Sequence, residues 1–256
     1  MGAVLISRQP GDDPGRAEVE DAARGVTSDA GSELAVIPHL YYLERSSEAA
    51  AILRGLTGRI AVGSWLHPRP ARWVLHRLGV DTRQQVSCVN FADYCCGRRA
   101  AEELLEGLPE EDSTGDAPGV VEADTYVSQR WYPVVDYDRC SDCRQCLEFC
   151  LFGVYAEQEG RLAVAEPDNC KPGCPACARV CPEGAIMFPH YGDDPGIAGA
   201  PGAEAGGGDM EAAASLRSRS VDSVPDEGQS AGRECCSGED DGLDDLIDEL
   251  DDMDDS

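Results

Sequence analysis

Residues 140–150 read CSDCRQCLEFC and residues 170–182 read CKPGCPACARVCP, so eight of the thirteen cysteines fall into two tight runs. The first run is Cys140-x2-Cys143-x2-Cys146-x3-Cys150. The second is Cys170-x3-Cys174-x2-Cys177-x3-Cys181-Pro182, and residues 151–169 separate the two. A cubane iron–sulfur cluster presents four iron corners, each wanting a thiolate. Three thiolates can come from one short loop, and the fourth comes from farther away. The spacing therefore supplies ligands for two such clusters. Zinc is the competing reading, because cysteines two or three residues apart also hold tetrahedral Zn²⁺. Zinc sites, however, pair two knuckles across a longer gap, whereas each run here packs four cysteines into eleven or twelve residues.

The segment from Val134 to Pro189 resembles the bacterial-type two-[4Fe–4S] ferredoxins, over roughly a fifth of the chain. The resemblance implies a small pseudo-twofold βαββαβ unit wrapped around the clusters and one-electron transfer at low potential. In two-cluster proteins the fourth cysteine of each run serves the other cluster. That implies Cys140, Cys143, Cys146 and Cys181 for one cluster, and Cys170, Cys174, Cys177 and Cys150 for the other. Two departures stand out: Leu151 follows Cys150 where the family carries proline, and Pro172-Gly173 lengthens the second loop by one residue. Neither removes a ligand, but a wider loop alters solvent access and hydrogen bonding at its cluster. Val154 to Val164 reads as a hairpin with a polar turn, and Leu147, Phe149, Val154, Tyr155, Ile186 and Phe188 are the expected shield against water. The module carries no evident residues for an organic substrate. By itself it reads as a relay that needs a redox partner protein, not as an enzyme.

The charge is unevenly placed. The chain carries a net −28, and residues 193–256 hold 20 acidic against 3 basic residues. From residue 193 the composition is rich in Gly, Ala, Ser and Asp, so the expectation is a disordered acidic tail. Within it Leu243, Leu246, Ile247, Leu250 and Met253 keep near-helical spacing among aspartates, which suits a helix that folds on a basic partner; a solvated tail is the other reading. Cys235 and Cys236 lack ligand spacing. Lys171 is the only lysine beside twenty arginines, a bias typical of a GC-rich bacterial genome. No segment is basic enough to indicate nucleic-acid binding. The N-terminus lacks a secretory pattern and has Ile6 where myristoylation wants Ser or Thr. No apolar run reaches membrane-spanning length. A reducing cytoplasm is the compartment that fits these thiols.

Residues 1–130 alternate short apolar runs with helical patterns, the signature of a small α/β three-layer domain. Expected strands are Ala3–Ser7, Leu34–His39, Arg59–Ser64 and Gln85–Val89. Expected helices are Ser46–Leu56, capped by Ser46 or Ser47; Pro70–Leu78, stopped by Gly79; and Ala92–Leu108. The whole chain thus reads as α+β: this domain, a ferredoxin-like dicluster module over 131–192, and the tail over 193–256. In parallel sheets ligands sit beyond the carboxyl ends of the strands, where this sequence puts Arg8, His39, Tyr41, Tyr42, Trp65, His67, Arg69, Cys88 and Asn90. One reading is a pocket for an anionic or aromatic ligand, which would make the chain an oxidoreductase subunit. The other is a set of interface residues that seat the cysteine module. No glycine-rich phosphate loop is present in this region. Cys95-Cys96-Gly97 resembles the paired-cysteine signature of some disulfide reductases but lacks its spaced partners; buried, unreactive thiols are the other reading for Cys88, Cys95 and Cys96. A third class of function, iron or redox sensing by labile clusters, is also open to this sequence.

Overall fold

The structure is a computed structural model that describes residues 2–11, 13–29, 33–56, 58–81, 86–94, 96–106, 108, 120–123, 128–203 and 205. Cys95, Cys235, Cys236 and the amphipathic pattern from Leu243 lie outside the described residues. Strands β1 (Gly2–Ser7), β2 (Glu33–Ile37), β3 (Arg59–Ser64), β4 (Val86–Asn90) and β5 (Val120–Glu122) form one parallel sheet in the order β4-β3-β1-β2-β5. Ala3 to Ile6 are apolar without alternation and buried on both faces, as an inner strand of a covered parallel sheet requires. Ala3, Leu5, Ala35, Ile37, Ile60 and Val62 face helices α2 (Glu48–Gly55) and α3 (Pro68–Leu78). Val4, Ile6, Leu34, Val36 and Ala61 belong to the core shared with α1 (Pro14–Asp29) and α4 (Gly97–Glu106). The unit is thus three-layered.

Local chemistry fixes the helix ends. Ser47 Oγ accepts from Ala50 N at 3.2 Å and caps α2, while Gly79, at φ 94°, ends α3 by returning its N–H to His76 and Leu75, a left-handed cap that glycine adopts without a Cβ penalty. The expected helix from Ala92 is interrupted. Asn90 Oδ1 accepts from Ala92 N and holds Phe91–Asp93 in a single tight turn, so α4 begins only at Gly97. Gly97 is where α4 meets α1: a Cβ there would stand 2.2 Å from the Val19 carbonyl oxygen. Helix α1 and strand β5 add to the expected elements. The apolar face of α1 is built from Val19, Ala23 and Val26, too small a stripe to stand out against its charges.

The cysteine segment follows the order β6 (Val134–Val135), α5 (Gln145–Phe149), β7 (Tyr155–Gln158), β8 (Arg161–Val164), α6 (Ala176–Val180), β9 (Ile186–Met187). Strands β6 and β9 pair antiparallel, as do β7 and β8. Glu159 and Gly160, both at positive φ (51° and 79°), make the tight β7–β8 turn, the mirror-image geometry that matches strand twist. Packed chain continues past residue 193, where the composition shift begins. Asp194 caps the short α7 (Pro195–Ala198), and Ile197 is fully buried.

The two parts share a core. Tyr132, Val134 and Met187 pack with α2 and α3. Tyr41 and Tyr132 stack at 4.3 Å. Tyr41 Oη donates to Tyr132 O at 2.5 Å and accepts from Tyr132 N at 2.8 Å, while Tyr132 Oη donates to Tyr41 O at 2.6 Å. Arg130 donates to Asp168 Oδ1 through Nε at 2.8 Å and Nη2 at 2.7 Å, and to Leu43 O at 3.0 Å.

Candidate iron–sulfur centre

The loop from Cys140 to Cys146 curls because Asp142 and Arg144 adopt left-handed φ of 54° and 63°. Such residues interleaved in a short loop turn its amides toward one side, a concavity that suits anionic sulfur. Non-glycine residues rarely adopt this conformation, and side-chain ties hold it here. Asp142 Oδ1 accepts from Leu162 N at 2.9 Å, and Arg144 pairs with Glu157 at 3.0 Å, so both positions are anchored to the β7–β8 hairpin. The second loop takes its left-handed turn at Gly173, φ 72°, within the extra Pro172-Gly173 step.

Cys146 and Cys177 sit inside α5 and α6, and Cys150 and Cys181 stand just past the ends of those helices. The structure brings the thiols together in two sets. Cys140, Cys143, Cys146 and Cys181 line one small cavity with Leu162, Ala185 and Ile186. Cys150, Cys170, Cys174 and Cys177 line another, walled by Phe149, Phe152, Val154 and Tyr155. The fourth cysteine of each run therefore faces the cavity of the other run. Among the described residues, no three His, Cys, Asp or Glu side chains gather tightly enough to hold a single metal ion; the thiols of each set spread around a space instead.

Burial pushes the Cys140 thiol up, the Cys146 thiol up to about 12, and Cys170 and Cys177 upward as well. Thiols held in so apolar a place lose their protons only to a bound cation, so the donor set fits a thiolate-ligated iron group. The Ala185 amide donates to Cys181 Sγ at 3.3 Å. Tyr155 Oη, fully buried with no nitrogen or oxygen partner, interacts with the Cys177 thiol. Trp131 stacks on Phe188 at 5.2 Å and donates to Cys174 O at 3.3 Å. Cys143 is exposed, and Leu151, beside Cys150, is 74% exposed.

The residues expected at the carboxyl ends of the sheet are for the most part engaged elsewhere. Arg69 Nε donates to the buried Asp136 at 2.6 Å and its Nη2 donates to Gly184 O at 2.7 Å. It ties α3 to the turn beside Cys181 and is not a ligand anchor. Tyr41 seats the cysteine module through Tyr132. Trp65 donates to Glu20 at 2.6 Å, His67 lies 3.4 Å from Asn90, and Arg8 pairs with Glu122 at 3.5 Å. His39 is buried against Tyr42 and His190, and desolvation holds it well below the usual histidine range; it is a neutral packing group and not a proton carrier. Burial raises the Cys88 thiol to about 12, which removes it from nucleophilic chemistry at neutral pH. Sequence reasoning missed Glu20, Tyr132, Asp136 and His190.

No family model matches the chain. An uncharacterised ferredoxin of Methanocaldococcus jannaschii is 45% identical over 60 residues, which are 23% of this chain and 41% of that protein. The chain thus spans less than half the length of that relative. A ferredoxin of Methanothermococcus thermolithotrophicus is 37% identical over 54 residues, 20% of this chain and 88% of that protein. The pyruvate synthase subunit PorD of Thermotoga maritima is 34% identical over 74 residues, 28% of this chain and 72% of that protein. Thiol-lined cavities and these likenesses define an iron–sulfur protein of the electron-transfer class. Through this segment the chain belongs to the ferredoxin family.

Proposed function

We propose that the chain relays single electrons through two [4Fe–4S] clusters, one held by Cys140, Cys143, Cys146 and Cys181, the other by Cys170, Cys174, Cys177 and Cys150. The observation that carries this reading is the division of eight thiols into two cavities, each with three cysteines from one run and one from the other. When bound, such clusters supply one-electron carriers whose potential follows hydrogen bonding and exposure. The chain's own residues supply the rest. The Ala185 amide and the Tyr155 hydroxyl offer hydrogens to ligand sulfurs. Phe149, Phe152 and Val154 keep water from one cavity, and Leu162 and Ile186 from the other. The exposed Cys143 and Leu151 mark the surfaces where a partner comes nearest to the thiols.

The N-terminal domain, residues 1–130, serves in this reading as a docking and rigidifying unit, since its aromatic and arginine side chains are engaged with the module over 131–192. The partner is a redox protein or complex in the cytoplasm. The likeness to PorD, named as a subunit of pyruvate synthase, supports work as a subunit of an oxidoreductase complex. Purification without oxygen, followed by dithionite titration under EPR, tests the relay. Two magnetically interacting centres that reduce and reoxidise reversibly at low potential are the expected result. Zinc in place of iron, or centres that cannot be reduced, would discard electron transfer.

A further inference from the structure

Between α3 and the β7–β8 hairpin lies a cleft of about 740 Å³, within the range of roughly 300–1,000 Å³ usual for small-ligand sites. Trp73, His76 and Tyr137 form one wall, with ring centroids 5.3 to 5.5 Å apart. Arg45, Arg72, Arg77 and Arg161 also line it. In a chain of net charge −28, four guanidiniums around one opening reverse the sign locally. Asp138 and Glu159 lie on the same lining and leave the positive charges in excess.

Two of these arginines are held only loosely by carboxylates. Arg72 reaches Asp138 at 3.7 Å and Arg161 reaches Asp142 at 3.6 Å, with side chains 46% and 60% exposed. Pairs this open contribute little, so a doubly charged anion competes for them with ease. Each also stands 5.7 Å from a ring of the wall, Arg72 over Trp73 and Arg161 over Tyr137. Guanidinium forks match phosphate oxygens, and the rings offer faces and edges for a planar group. Leu162 lines both this cleft and the cavity of Cys140, Cys143, Cys146 and Cys181.

We propose that the cleft binds a planar aromatic ligand carrying phosphate, of mononucleotide size, beside the first thiol-lined cavity. The test is equilibrium dialysis of the full-length, cluster-loaded protein with flavin mononucleotide and adenosine monophosphate, each against its phosphate-free counterpart, riboflavin or adenosine. Saturable binding of one phosphorylated ligand per chain, at least tenfold tighter than its counterpart, is expected. Arg72→Gln with Arg161→Gln should weaken it at least tenfold, and Arg99→Gln, exposed on α4 and outside the cleft, should change it less than twofold. Absent saturable binding, or binding indifferent to the double substitution, overturns the assignment. A full-length variant with the acidic residues of 239–255 changed to Asn and Gln guards against the chain's own tail as occupant. Unchanged affinity is expected. A tenfold gain would make the tail the occupant and overturn the small-ligand reading. Dialysis does not read electron exchange, so this site stands or falls apart from the cluster reading.

Discussion

Replacing Arg69 with alanine should release the junction. Arg69 is 20% exposed and Asp136 7% exposed, and their contact is 2.6 Å. Removing one member of a buried ion pair costs about 3–5 kcal/mol, because the other charge stays buried without compensation. The full figure does not apply here. Asp136 Oδ1 still accepts from the amides of Asp138 at 3.0 Å and Arg139 at 3.3 Å, and Arg139 Nε stands 3.8 Å from Oδ2. Against that relief, the Gly184 carbonyl loses its 2.7 Å donor as well. A net loss of about 2–3 kcal/mol follows, which is about 30- to 160-fold in a rate or equilibrium. Because release of an iron group is irreversible, the quantity to measure is the unfolding rate after an anaerobic urea jump. The fluorescence of Trp65, Trp73 and Trp131 reports it from both parts of the molecule. Arg69→Ala should unfold faster by that factor, and Arg69→Lys should recover only part of it, since an ammonium cannot serve both acceptors in the fork geometry. An unfolding rate within twofold of the parent would refute the clamp.

Three further outcomes follow from other contacts. Tyr155→Phe removes the buried hydroxyl beside Cys177; a lost hydrogen bond of about 1 kcal/mol to the reduced state lowers the potential of that centre by roughly 40 mV for one electron, measurable by EPR-monitored titration. Burial holds His190 down to about 4. Its neutral form therefore stabilises the fold fully above about pH 6.5, and that contribution is lost as pH falls toward 4, by at most about 1.4 kcal/mol per pH unit. His190→Gln should reduce the difference in unfolding rate between pH 7.5 and 5.5, with His39, held down by burial in the same way, keeping part of it. Gly97→Ala drives a methyl to 2.2 Å from Val19 O and 2.7 Å from the Ala22 side chain. Overpacking of this kind costs about 1–3 kcal/mol, to be read as faster unfolding after the same anaerobic urea jump.

Much of the molecule was legible because its signals are local. The β3 strand, the Ser47 cap and the Gly79 stop follow from short-range chemistry, and so does the polar β7–β8 turn. The start of α4 was not legible, since it depends on Asn90 closing a turn on Ala92. Helix α1 escaped notice because its apolar face is made of small residues that gain meaning only when Gly97 lets α4 approach. Arg69, His39 and Tyr41 were correctly placed near the ends of the strands, yet their roles depend on Asp136, His190 and Tyr132, which arrive from 67 to 151 positions away in sequence. Long-range pairing of that kind leaves no mark on the local pattern.

The central claim is that each run lends its fourth cysteine to the other centre. Iron and sulfide counting on two double variants tests it most directly. If Cys181 serves the centre of Cys140, Cys143 and Cys146, then Cys143→Ala with Cys181→Ala damages one centre only, and about four irons remain with a single uncoupled EPR signal. Cys143→Ala with Cys150→Ala should then damage both. The reverse pattern, both centres lost in the first variant and one kept in the second, would contradict the crossed arrangement.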